Sequence, residues 1–330
     1  VKTKKAAEPV DVSQEEGGGD RKALAKRMED IGVNMVDLMS SPVKHIFKDE
    51  AMRSNPLPKV IRRLTQEIGS MMTGLPYGVF LRVDNTRMDL MRACIMAPGD
   101  APYENGVFFF DIWIPANYPQ SPPKCKMITT NRGSVRFNPN LYSNGKVCLS
   151  LLGTWSGPGW DPTYSNILQV LLSIQSMILG APEPIVNEPG WVRDKGKPRS
   201  KAYNTWLVTK TIQHAMYDHL YWIKICSDPE AMKQEKEELK NVKTDPGPPK
   251  EGKHTNVNGY KNTVNHPWKC QRDSKTMKWY FWNTETGEST WKKPKITRMR
   301  KNGKPARSPV EGFAEVLRLH FWLKKDYLLK

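Results

Sequence analysis

Residues 137–155 read FNPNLYSNGKVCLSLLGTW, and the rest of the chain is best read outward from them. The stretch holds too much Asn, Gly and Pro for a helix or a strand, so it reads as a long irregular segment. Cys148 stands within it, where a thiol is expected in a shallow, exposed groove. Cys94 instead falls among the apolar residues of a predicted strand, and Cys226 near the end of an apolar helix. Both positions suit buried, inert thiols. A cysteine nucleophile ordinarily works with a histidine. The six histidines (45, 214, 219, 254, 266 and 320) leave the whole span 46–213 without one. A protease-like dyad near Cys148 is therefore not expected. Thiol chemistry that needs no dedicated base remains, such as exchange of an acyl group between thiols.

On the N-terminal side, Val60, Ile61, Leu64, Ile68, Met71 and Met72 recur at helical spacing, with Pro58 suited to the first turn. The period then changes. Residues 78–83, 88–96, 107–114 and 124–129 read as four strands, and the short turns between them predict an antiparallel meander. On the C-terminal side, 166–179 (NILQVLLSIQSMIL) is apolar nearly all round and predicts a buried helix. Residues 200–226 predict a long amphipathic helix carrying Trp206, Ile212, Met216, Leu220 and Ile223.

The flanks complete the organisation. Residues 1–20 read as a disordered tail and 21–57 as a helical extension, with a short helix over Arg21–Met39. Residues 227–265 are charged, then rich in Pro and Gly, and read as a linker. A compact aromatic segment fills 266–294, and 295–330 is a basic segment ending in a helix over Val310–Leu329. The fold class expected is α+β with a second, three-stranded module.

Of 330 residues 38% are apolar, slightly low for a wholly globular chain, which leaves room for such linkers. No stretch approaches the ~18 unbroken apolar residues of a membrane span, and the opening residues lack a signal core. A soluble protein of the cytoplasm or nucleus, with no membrane partner, is expected. Lys and Arg exceed Asp and Glu by 17 and the pI is near 9.6, which favours acidic partners without choosing among nucleic acid, anionic surfaces and acidic proteins. Five widely spaced cysteines without a CxxC argue against a disulfide scaffold or a zinc site, so no metal is expected.

The order of a helix, a four-strand meander, YPQSPP (118–123), NPN (138–140), then Cys148 eight residues after Asn140 and Trp155 beyond it, resembles the ubiquitin-conjugating enzyme fold over about Pro58–Cys226. NPN through GTW, ILQVLLSIQSMIL and NEPGW (187–191) are most similar to the large members that combine conjugation with ligase-like function. The resemblance implies that Cys148 forms a thioester with ubiquitin, or a ubiquitin-like protein, delivered by an activating enzyme, and passes it to a lysine amine. It implies that Asn140 supports the active-site loop and stabilises the oxyanion, where one good donor contributes ~3 kcal/mol. Pro139 would fix the loop. Tyr118, Pro119, Pro122 and Pro123 match the loop used with ligases, and the 58–72 helix the face that meets the activating enzyme. The family's usual His is Asn138 here, which bears on loop geometry, and Ser150 stands where smaller members carry Asp. Glu188, with Asn187 beside it, is the candidate for receiving the incoming lysine. No cofactor is implied, because ATP is spent by the activating enzyme.

The 266–294 segment resembles a WW domain: Trp268, Tyr280-Phe281-Trp282, Asn283, Trp291 and Pro294 fall at that family's positions. A three-stranded unit of this size has almost no core, so Trp268, Phe281 and Pro294 would clasp together. The resemblance implies a groove built on Tyr280, Trp282, Thr284 and Trp291 that grips proline-rich segments. Thr284, in place of the frequent His, argues against a Pro-Pro-x-Tyr ligand. The run 292–307 holds eight Lys or Arg and no acid, and reads as a solvated spacer, a nucleic-acid contact or a nuclear address. The function expected is ubiquitin conjugation through Cys148 with recruitment by the WW groove. Two alternatives stay open at this point: a catalytically silent scaffold, and an adaptor in RNA processing or a larger assembly.

Overall fold

The computed structural model describes residues 26–28, 30–41, 43–227, 268–272, 279–283, 289–290 and 311–324. It divides into two units, Val1–Pro248 with Ala306–Lys330, and Pro249–Pro305. The second unit is thus an insertion in the chain of the first.

The first unit is built on a five-stranded sheet, β1 (Val33–Val36), β2 (Val79–Asp84), β3 (Leu90–Met96), β4 (Val107–Trp113) and β5 (Lys124–Met127), in that spatial order. The meander β2–β5 is antiparallel as the short turns require, but β1 runs parallel to β2. The helical reading of 21–39 therefore gives way to strand at 33–36. A parallel neighbour needs a long connection, which α1 (Lys48–Met52) and α2 (Pro58–Gly74) supply.

Every residue of β2, β3 and β4 is buried, because both faces of the sheet are covered. One face alternates Leu81, Ala93 and Phe110 into the main core, against Val60, Leu64, Ile68 and Met71 of α2. Met72 was expected on that apolar face, yet it is 65% exposed. The opposite face presents Phe80, Cys94, Met96, Val107 and Phe109 to a second core.

This second core is closed by the chain's end. Helix α6 (Ala314–Leu323) packs there with Phe313, Val316, Leu317 and Phe321, alongside Trp222 and Ile223 of α5 (Asp218–Ser227). The C-terminal helix, read from sequence as part of a separate tail, belongs to the first unit. Arg82 fastens the arrangement from within the sheet: its guanidinium donates to the carbonyls of Gly312 (2.7 Å) and Ile31 (3.1 Å) and lies 4.6 Å from the Phe313 ring centroid. Burial pulls its pKa down to about 10. Farther along the same face Arg92 grips Asp111 (2.6 and 3.1 Å), and Asp111 also accepts the Ile46 amide.

Helix α3 (Ile167–Ser173) starts on an Asn166–Gln169 capping box and continues through a π-helical segment at Ile174–Leu179. It is not buried all round, since Leu172 and Met177 are 37% and 66% exposed. Helix α4 (Pro198–Lys210) runs through a second π segment, Thr211–Tyr217, into α5. That wider turn rotates the face that follows it. Ile212, inside that segment, and Leu220, beyond it, were expected in the core and are exposed, while His214, Ala215 and His219 are buried. No helix among the described residues is long and apolar enough to cross a membrane.

In the second unit, β6 (Trp268–Arg272), β7 (Trp279–Asn283) and β8 (Ser289–Thr290) form the expected three-stranded antiparallel sheet, pairing Gln271 with Tyr280 and Trp282 with Ser289.

Candidate active site

The 137–155 segment is irregular but tightly bonded. The Asn138 side chain lies at its base, wholly buried. Its Oδ1 accepts the Asn140 amide at 2.8 Å, and its Nδ2 donates to the Tyr103 hydroxyl at 3.0 Å and the Ile178 carbonyl at 3.4 Å. Tyr103 in turn donates to the Phe137 carbonyl at 2.6 Å. Asn138 thus braces the turn with its own amide. A buried polar group so fully engaged stabilises, whereas its loss strands its partners.

From that turn, Asn140 and Cys148 hold each other. The Cys148 amide donates to the Asn140 carbonyl (2.8 Å), and Asn140 Nδ2 donates to the Cys148 carbonyl (2.9 Å). Asn140 Oδ1 is buried without a partner. Thr154 closes the far side by accepting the Leu149 amide at 3.0 Å and donating to the Val147 carbonyl at 2.7 Å.

Cys148 is only 2% exposed, so its groove is closed rather than open as expected. Tyr142 stands beside it and hydrogen-bonds to the sulfur. The Tyr142 ring has Arg136 at 4.1 Å from its centroid and Lys146 at 5.6 Å. Desolvation raises the Cys148 pKa, an effect partly offset by Lys146, Arg136 and the Tyr142 hydroxyl, and reinforced by Glu188. Cys94 is fully buried and Cys125 is 9% exposed, and desolvation pushes both thiols much further up than that of Cys148, as suits inert groups. The side chains of Cys226 and Cys270 lie outside the described residues.

Asn187 and Glu188 do reach the site. Asn187 Nδ2 donates to Asn138 Oδ1 at 3.4 Å, and Glu188 Oε2 lies 3.5 Å from Arg136 Nη2. That ion pair has side chains 39% and 34% exposed, so water screens it and it contributes less than ~1 kcal/mol. The fold therefore gathers Asn138, Asn140, Cys148, Asn187 and Glu188, all named from sequence. Arg136, Tyr142 and Lys146 were missed. Their signal is position: two residues before the NPN, two after it, and two before the cysteine. Tyr118, in the Pro-rich loop, is buried and donates to Glu67 (2.6 Å), while Trp160 donates to the Pro119 carbonyl (2.6 Å). The WW groove positions Thr284 and Trp291, and the side chains of Tyr280 and Trp282, fall outside the described residues.

A meander flanked by helices thus holds one cysteine against an Asn-Pro-Asn turn. Residues 63–199 match the family model of ubiquitin-conjugating enzymes, and residues 264–294 that of the WW domain. The chain therefore carries a region that matches ubiquitin-conjugating enzymes and, in addition, one that matches the WW domain. It is 42% identical to ubiquitin-conjugating enzyme E2 Z of Homo sapiens over 52% of this chain and 48% of that protein. It is 41% identical to probable ubiquitin-conjugating enzyme protein 17 of Caenorhabditis elegans, over 54% of this chain and 26% of that one. It is also 46% identical to the dual E2 ubiquitin-conjugating enzyme/E3 ubiquitin-protein ligase BIRC6 of Homo sapiens, over 48% of this chain and 4% of BIRC6. The chain thus spans about half the length of these relatives or much less.

Proposed function

We propose that this protein is a ubiquitin-conjugating transferase that carries ubiquitin, or a ubiquitin-like protein, on Cys148. The observation that carries the reading is the reciprocal bonding of Cys148 and Asn140 within a domain of that family. In the charging step the Cys148 thiolate attacks the carbonyl carbon of the activating enzyme's thioester. A new C–S bond forms, the old one breaks, and the activating enzyme's thiolate leaves. In the second step a neutral lysine amine attacks the Cys148 thioester, an amide C–N bond forms, and Cys148 departs as thiolate. The proton released from nitrogen passes to Glu188 or to water.

Each attack places negative charge on the carbonyl oxygen. One hydrogen of Asn140 Nδ2 serves the Cys148 carbonyl and the second is available to the oxyanion. The raised Cys148 pKa opposes thiolate formation, and the cations Arg136 and Lys146 limit that cost. The WW domain recruits proline-rich partners through Tyr280, Trp282 and Trp291, and the tether raises the local concentration of their lysines. A ligase is a further partner of the conjugating domain.

A charging assay tests this reading. Protein, activating enzyme, ubiquitin and ATP are run on gels with and without reductant. A reductant-sensitive band one ubiquitin heavier, absent from Cys148→Ala, is expected. Its absence for ubiquitin and for ubiquitin-like proteins alike would overturn the reading.

A further inference from the structure

Beyond easing thiolate formation, Arg136 touches three separate pieces of the site. Its Nη2 donates to the Pro139 carbonyl at 2.7 Å and lies 3.5 Å from Glu188 Oε2, and its guanidinium rests 4.1 Å from the centroid of Tyr142. One side chain therefore joins the turn that carries Asn140, the ring beside the thiol, and the carboxylate on the facing loop.

We propose that Arg136 is a positioning residue for the lysine step: it holds the Glu188 carboxylate toward Cys148 until an incoming ammonium displaces it. The inference rests on the function proposed above. The Glu188 backbone is pinned, its amide donating to the Ile185 carbonyl (3.2 Å) and its carbonyl accepting from Trp191 (2.8 Å). Only side-chain torsions are left to choose, and Arg136 selects among them. The pair is also releasable, because both side chains are about one-third exposed and water competes for them. Arg136 Nε is buried without a hydrogen-bond partner, so the guanidinium is shared among three contacts rather than committed to one carboxylate. Charge supplies the need for such a device. An ammonium approaching Cys148 meets repulsion from Arg136 and Lys146, and Glu188 is the carboxylate placed against them.

The test is single-turnover discharge of the purified, charged full chain to free lysine across a concentration series, with thermal unfolding in parallel. Arg136→Gln is expected to lower the maximal rate by about tenfold while half-saturating lysine stays put, the mark of lost positioning in the transition state. Arg136→Lys, which keeps the charge, recovers part of the rate. Adding Arg136→Gln to Glu188→Gln lowers the rate by less than about twofold more, since the two act as one unit. A wild-type rate in Arg136→Gln overturns the inference. So does the full loss recurring on the Glu188→Gln background, which would make Arg136 a loop brace. A fall in half-saturating lysine also overturns it, because Arg136 would then merely compete with the substrate. An uncharged wild-type protein overturns the proposed function and this inference together, whereas a charged protein indifferent to Arg136→Gln overturns the inference alone.

Discussion

At the scale of the residue, the site shows how one buried amide can organise a reactive loop. Asn138 satisfies Tyr103, Ile178 and the Asn140 amide at once, so Asn138→Ala would leave several buried groups unpaired. A loss of roughly 2–3 kcal/mol in urea unfolding is expected, and a loss well under ~1 kcal/mol would refute this account of Asn138. The thiol makes a second prediction. Desolvation holds its pKa above the ordinary 9.0, so its alkylation should reach half-maximal rate at a pH above 9.0. Lys146 favours the thiolate, so Lys146→Gln should move that midpoint higher still, read by iodoacetamide labelling and mass spectrometry. Cys94 and Cys125, whose thiols desolvation pushes much further up, should label far more slowly than Cys148 while the chain is folded. The cysteine was legible from its irregular segment, and its Asn partner from the resemblance of NPN, eight residues ahead, to a family motif. Arg136 and Tyr142 were not, since their one signal is position, two residues either side of the NPN, and a charged or aromatic residue there is not by its type marked for a site.

At the scale of the element, helix α6 is held by more than apolar contact. His320 Nε2 donates to the Asn105 carbonyl (3.1 Å) and His219 Nε2, on α5, to the Val107 carbonyl (2.8 Å). Burial lowers both pKa values from 6.5 to about 4. Between these values the unfolded chain binds protons that the folded chain refuses. Their contribution to stability is complete above pH 6.5 and is lost as pH falls toward 4, on the order of 3 kcal/mol each. His320→Gln, which keeps a donor but cannot titrate, should flatten the fall in unfolding free energy across that window. An unchanged pH profile would show that His320 is not the titrating group. The same scale explains where periodicity misled. Ile212 and Leu220 fit an apolar stripe with Met216 and Ile223, yet the buried face runs through Leu207, Thr211, Ala215 and Trp222, so both point outward.

At the scale of the whole molecule, the WW unit is an insertion, with α5 before it and α6 after it, both packed in the second core. Replacing residues 228–310 by a Gly/Ser linker of about 20 residues, with a reach of about 25 Å, should preserve folding and charging of Cys148. Binding of proline-rich peptides should disappear, as it should in Trp291→Ala of the full chain. Truncation before residue 306 is a different matter, because it uncovers Phe80, Met96, Val107 and Phe109 on the sheet. That variant should lose thermal stability and self-associate in light scattering. A monomeric truncation with an unchanged melting temperature would show that α6 is dispensable.

Short-range information in the chain was enough for the meander, the α2 helix, the Cys148 loop and the WW strands. Each is written in local periodicity or in motif spacing, which depends on neighbours a few residues apart. Tertiary structure alone decided three things. The four residues Val33–Val36 became a parallel strand because β2 offered its edge, a partner 48 residues away in the register Val33 to Leu81. The outer face of the sheet was sealed by a helix more than 200 residues downstream, through contacts such as Arg82 to the Gly312 carbonyl, 230 positions apart. The Cys148 thiol came to be buried, with Tyr142 beside it and Arg136 linking the Tyr142 ring to Glu188 of a loop 52 residues on. Local pattern records which way a side chain tends to face, and burial depends on what the rest of the chain brings to meet it.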